Sequence, residues 1–164
     1  MRLRIRPAAG FPALPAGQSP GMDVTRVATD FELLDISVIP EGLDRIRIPL
    51  GPGPVRRPVE LPEGAVVTVA LTFRLGTDVD GLTFTDTRSS EGRVTASTQT
   101  PLGGFRAGGP YEIHLRPERL PKSRTGGDVT YDVTGVFTDG SGRVLASEYH
   151  GFRIVRQPRP VRGR

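Results

Sequence analysis

The 164-residue chain carries 22 basic and 18 acidic side chains, 21 glycines, 16 prolines and no cysteine. That length suits one domain with a real core and is short for two. The missing cysteine excludes disulfides and thiolate chemistry and permits a reducing compartment. The net charge of +4 sits mainly at the ends, on Arg2, Arg4 and Arg6 and on Arg156, Arg159, Arg162 and Arg164. No aromatics interleave with those arginines to stack bases, so no specific nucleic-acid partner is expected.

Residues 1–29 have neither a helical nor a strand period and read as a flexible arm rich in Pro, Gly and Arg. Pro7, Pro12 and Pro15 interrupt any apolar run of signal-peptide length. Nothing approaches the apolar length of a membrane span, and no lipidation motif is present. The expectation is a soluble, cytoplasmic protein with no membrane span.

From Asp30 the texture changes, and a single domain over 30–157 is expected. Strand patterns run over Phe31–Ile39, Leu43–Leu50, Ala65–Leu75, Gly81–Thr87, Arg93–Thr98, Tyr111–Arg116, Val129–Asp139 and Arg143–Val155. Turn chemistry separates them at Pro40–Gly42, Gly51–Pro54, Asp80–Gly81, Gly103–Gly104, Gly126–Gly127 and Asp139–Gly142. The clearest strand is Ala65–Leu75. Val67, Val69, Leu71, Phe73 and Leu75 share one parity, and Thr68, Ala70, Thr72 and Arg74 the other. One face therefore belongs to a core and the other lies near water, as in an antiparallel sheet. In the last strand apolar character changes sides partway, and Gly151 is a natural place for a bulge. Residues 158–164 read as a basic disordered tail. No window offers an amphipathic helix longer than two turns. Seven or eight short strands with these turns predict an all-β fold, an immunoglobulin-like antiparallel β-sandwich of seven to nine strands.

Few residues suggest chemistry. Glu148 and His150 share a strand face and can form a hydrogen-bonded pair, but a catalytic set needs a third group. Asp78, Asp80 and Asp86 flank a hairpin without the ligand spacing of a calcium loop, and read as a solvated turn. The Gly103-Gly104 and Gly108-Gly109 pairs lack the strand–loop–helix context of a phosphate site. No catalytic residue, metal or cofactor is therefore assigned, and the chain is not expected to be an enzyme. The strand aromatics are candidates for a core.

The order of the segments resembles the C-terminal immunoglobulin-like domain of the Rho GDP-dissociation inhibitors. Val66–Leu75 followed by Gly81-Leu82-Thr83-Phe84 and Glu91-Gly92 looks like that family's long strand, loop and second hairpin. Leu102-Gly103-Gly104-Phe105-Arg106 resembles its Val-Gly-Ser-Tyr-Gly-Pro-Arg loop, and Tyr111-Glu112-Ile113 its Tyr-Glu-Phe strand. Gly127–Asp139, ending in Phe137-Thr138-Asp139, is similar to its Gly-Ser-Tyr segment ending in Phe-Thr-Asp. The likeness runs from Asp30 to Arg156. It implies a pocket between the sheets for the geranylgeranyl chain of a small GTPase. Carried over, the lining would comprise Val69, Leu71, Phe73, Phe84, Phe105 and Tyr111, then Ile113, Phe152 and Ile154. Where the family has a Trp-Glu-Trp triplet in its last strand, this chain has Glu148, Tyr149 and His150, and Glu148 and His150 are placed at the pocket rim.

The function expected on this basis is non-catalytic binding of an isoprenoid or other apolar ligand, with a prenylated small GTPase or a free isoprenoid lipid as partner. The alternative is an immunoglobulin-like protein-interaction module with a filled pocket and a protein partner.

Overall fold

In the computed structural model, the described residues are 5–7, 31–50, 58–122 and 127–156. The sequence assigned an arm to 1–29 and a tail to 158–164. Apart from Ile5–Pro7, both lie outside the described residues, as does the Gly51–Pro54 turn.

The strands in chain order are β1 (Ile5–Pro7), β2 (Phe31–Pro40), β3 (Ile46–Ile48), β4 (Val59–Pro62), β5 (Val66–Leu75), β6 (Val79–Ser90), β7 (Arg93–Phe105), β8 (Gly108–His114), β9 (Glu118–Arg119), β10 (Val129–Thr138) and β11 (Val144–Val155). They build two sheets packed face to face, the β-sandwich that the alternation predicts. One sheet runs β1-β8-β5-β2-β3, with β9 following β8 along the same side of β5. The other runs β4-β11-β10-β6-β7. The strands exceed the expected seven to nine because β1, β4 and β9 are too short to show a period. The pairing is also not wholly antiparallel, since β4 lies parallel to β11. Ile5–Pro7 pairs with Tyr111–Ile113 of β8, so part of the arm adds a strand where none was expected.

β5 shows why these residues form this sheet. Val67, Leu71, Phe73 and Leu75 are buried on the inner face as their parity requires. The outer face departs from expectation, because Ala70 and Thr72 are buried too. Arg45 reaches from the loop before β3, over β2 and β5, to donate to Glu112 Oε1 on β8 at 2.7 Å. Arg47 donates to Asp35 Oδ1 at 2.7 Å, and Ser37 Oγ donates to Asp35 Oδ2 at 2.6 Å. His114 Nε2 lies 2.8 Å from the same Glu112 oxygen. A polar belt thus covers the centre of a face that alternation alone would leave wet.

Glycines and bulges shape the remaining ladders. Gly81 has φ +63°, and a Cβ there would meet Gly140 Cα at 2.8 Å, so the β6 strand and the β10–β11 turn touch only because both residues are glycine. That turn is the expected hairpin, closed by Asp139 Oδ1, which accepts from the backbone N–H groups of Ser141 and Arg143. The bulge expected at Gly151 is absent. β11 pairs with β10 without a break from Ala146 to Ile154, and the irregularity lies near Val144 instead.

Candidate functional site

The inter-sheet space divides into two halves. In the first, Phe73 of β5 stacks on Phe31 at 5.2 Å, meets Phe105 edge-on at 5.2 Å, and touches Tyr111 at 5.8 Å and Phe137 at 6.5 Å. Phe84 joins from β6, 4.8 Å from Phe137. Rings at these spacings fill the space as aromatic cores do, and leave no slot between the sheets.

The second half holds a cavity of about 30 Å³. Ile36 and Val38 of β2, Val67 and Val69 of β5, and Ile48 give it an apolar wall on one sheet. The facing wall follows from the ladders of β6, β10 and β11. Phe84 pairs with Phe137, Asp86 with Gly135, and Arg88 with Val133. Continuing across, Gly135 pairs with Glu148, Val133 with His150, and Tyr131 with Phe152. Since alternate residues share a face, Asp86 and Arg88 on β6 and Glu148 and His150 on β11 face inward on either side of Gly135 and Val133. Two carboxylates flank Gly135, and a base follows each carboxylate two residues along its own strand.

Each carboxylate is held by that base. His150 Nδ1 lies 2.9 Å from both oxygens of Glu148. An ionised carboxylate only accepts, so Nδ1 carries the hydrogen of this pair. The Glu148 side chain is 6 % exposed. It occupies the space that a side chain at Gly135 would take, since a Cβ there would lie 2.7 Å from Glu148 Oε1 and 2.8 Å from Phe84 Cε2. Across β10, Arg88 Nη2 stands 3.3 Å from Asp86 Oδ2 and also donates to Glu118 of the opposite sheet. Its guanidinium lies 5.5 Å from the Phe152 ring centroid. Burial alone would lower the pKa of Arg88, but Glu118 and Asp86 outweigh it and raise the value above the ordinary one. Asp86 Oδ1 is buried with no hydrogen-bond partner among the described residues.

These positions sort the sequence-derived residues. Val69, Phe84 and Phe152 line the cavity, and Glu148 and His150 line it with them. Leu71, Phe73, Phe105, Ile113 and Ile154 belong to the buried core, with Tyr111 packed against it. Asp86 was read with Asp78 and Asp80 as part of a solvated turn; it instead faces inward, beside Arg88. The sequence reading missed Asp86, Arg88, Glu118, Ile36, Val38 and Val67 as cavity residues. Its signal was available, since Phe84, Asp86 and Arg88 share one parity. Among the described residues no group of three or more acidic or histidine side chains is placed to hold a metal. No helix there is long and apolar enough to cross a membrane.

No family model and no curated protein matches this chain. Among solved structures, the crystal structure of Spo0M, the sporulation control protein of Bacillus subtilis, is similar at 13% identity and a TM-score of 0.33. The match covers 76% of this chain and 49% of that one, so the chain spans about half the length of that protein.

Proposed function

We propose that this chain is a non-catalytic protein-interaction module, a β-sandwich whose inter-sheet pocket is filled by its own side chains. The observation that carries this reading is the pairing of an aromatic-filled half with a cavity of about 30 Å³. Pockets for drug-sized ligands run roughly 300–1,000 Å³, and this one has space for about two waters. Its charged wall adds to the argument. A hydrocarbon chain against Asp86, Arg88 and Glu148 would strip water from charges and return no hydrogen bond.

A second reading keeps the resemblance to the Rho GDP-dissociation inhibitors, with an isoprenoid or a prenylated small GTPase as ligand. The continuous apolar wall of Ile36, Val38, Val67 and Val69 favours it. That reading requires the sheets to part at this end. Titration of the full chain with a fluorescent geranylgeranyl probe separates the two. The filled-pocket reading expects no saturable signal at micromolar protein. Saturable one-to-one binding, abolished when Val69→Trp fills the cavity, would overturn it in favour of the lipid.

A further inference from the structure

Sheets in soluble proteins guard their edges, because an uncovered edge offers unpaired N–H and C=O groups to any passing strand. Among the described residues every edge strand but one is guarded by its shortness, β9 with its two residues included. β1 and β3 have three residues each, and β4 has four and ends in Pro62. The exception is β7, at 13 residues. Arg93 to Gln99 are exposed at every position, so neither face of that stretch is covered by a described residue, and among the described strands β7 pairs only with β6. Val94-Thr95-Ala96-Ser97-Thr98-Gln99-Thr100 carries no charge and no proline, two of the devices that protect an edge, and its ladder with β6 is irregular only at Thr95, since Arg88 pairs with Ala96 and Ser89 with Val94. Val94, at 68% exposed, is the most exposed large apolar side chain among the described residues.

We infer that β7 is a strand-addition surface whose occupant is β7 of a second copy, paired antiparallel about a twofold axis at Ser97. The segment's own chemistry selects that occupant. In this register Ala96 meets Thr98 on either side of the axis, and the pairs Thr95–Gln99 and Val94–Thr100 follow where the strand bends at the Thr95 bulge. No like charges face each other, and Arg93 falls opposite Pro101 rather than another arginine. The Val94–Thr100 pair is β-branched on both sides, a kind that stabilises a ladder, whereas a charged peptide would find no counter-charge between Val94 and Thr100. The contact is isologous and uses the one long edge among the described strands. It therefore closes as a dimer with a continuous sheet and does not propagate into a fibre. This inference goes beyond the interaction reading above and stands whether or not the cavity takes a ligand.

The test is sedimentation of the full chain over a concentration series, with Ser97→Lys and Ser97→Glu as variants. Ser97 is exposed, so both variants should fold and melt as the wild type does. The wild type is expected to show a monomer–dimer equilibrium. Each variant places like charges side by side at the axis and should weaken dimerisation by about tenfold or more. An equimolar mixture of the two variants should recover a dimer. A wild type that stays monomeric at the highest concentration would overturn the inference. So would a dimer that neither charge disturbs, a mixture that fails to recover, or assembly that continues past the dimer.

Discussion

Arg88 on the inner face of one sheet is ion-paired with Glu118 on the other, so a charged clasp joins the two sheets beside the cavity. Arg88 is the more constrained member. It also faces Asp86 and covers the Phe152 ring, while the Glu118 side chain is 40% exposed. The clasp therefore has unequal ends. Losing Glu118 leaves Arg88 with Asp86, but losing Arg88 leaves Asp86 with no cation within the site.

Arg88→Met is accordingly expected to cost about 2–3 kcal/mol, the lower end for breaking a buried pair, because it strands a largely buried carboxylate. Glu118→Gln should cost under about 1 kcal/mol, as half-exposed pairs do. Urea denaturation of both variants checks the order. Equal losses would show that the Glu118 bond, and not the shelter of Asp86, is what Arg88 supplies.

Legibility in the sequence followed the period of each strand. Val67 to Leu75 alternate cleanly, and their inward face is as expected. Phe73, Phe105 and Tyr111 were brought together only by the family resemblance, as the lining of a pocket, and the structure packs them against one another in the core. Arg88 escaped because the strand was ended at Thr87, and Asp86, inside the expected strand, was assigned with Asp78 and Asp80 to a solvated turn. The strand in fact continues to Ser90, carried by its ladder to β10. Glu148 and His150 were expected at a rim on the grounds that charges avoid a core. Glycine at 135 makes room for the Glu148 carboxylate, and that vacancy lies on a different strand. The polar cover over Ala70 and Thr72 was illegible for a similar reason, since it comes from Arg45 and Glu112, which are far apart in the chain.

Gly135 gives the second prediction. Its alanine variant would drive a methyl into Glu148 Oε1 and Phe84 Cε2, both under 3.0 Å from the added Cβ. Overpacking of that kind costs roughly 1–3 kcal/mol. Glu148→Ala removes one of the two obstacles, so the glycine substitution should cost less in that background than in the wild type. A double-mutant cycle by thermal melting measures the coupling. Strict additivity would mean that Glu148 does not lie over Gly135.

Leu71 and Thr72 test both faces of β5. Leu71→Asp places an unpaired charge in the core and should cost several kcal/mol, on the order of 3–5. Thr72→Asp is not the silent change that alternation suggests. Thr72 is 3% exposed and its ladder neighbours are Asp35 and Glu112, so a third carboxylate would join two others. Thr72→Val, which keeps the shape and adds no charge, should stay close to wild type. Melting temperatures in the order Val above Asp at position 72 support the buried belt. Indifference to the Asp would place Thr72 in water.

Glu112 predicts a pH dependence. Burial alone would raise its pKa, but hydrogen bonds from His114 and Arg45, with the Arg45 charge, override this and hold it below the ordinary 4.5. A carboxylate whose folded pKa is depressed stabilises the fold above its unfolded value. That contribution is lost as pH falls through the folded pKa. Arg45→Gln takes away the guanidinium and leaves the His114 bond, so the Glu112 pKa should move up towards the ordinary value. The variant should therefore be less stable than wild type at pH 6, and the gap should narrow as the pH drops below about 4.5. Carboxyl titration by NMR and urea midpoints across pH 2–7 provide the check. A stability gap that stays constant over that range would show that Arg45 acts through packing over β2 and β5 rather than through the Glu112 charge.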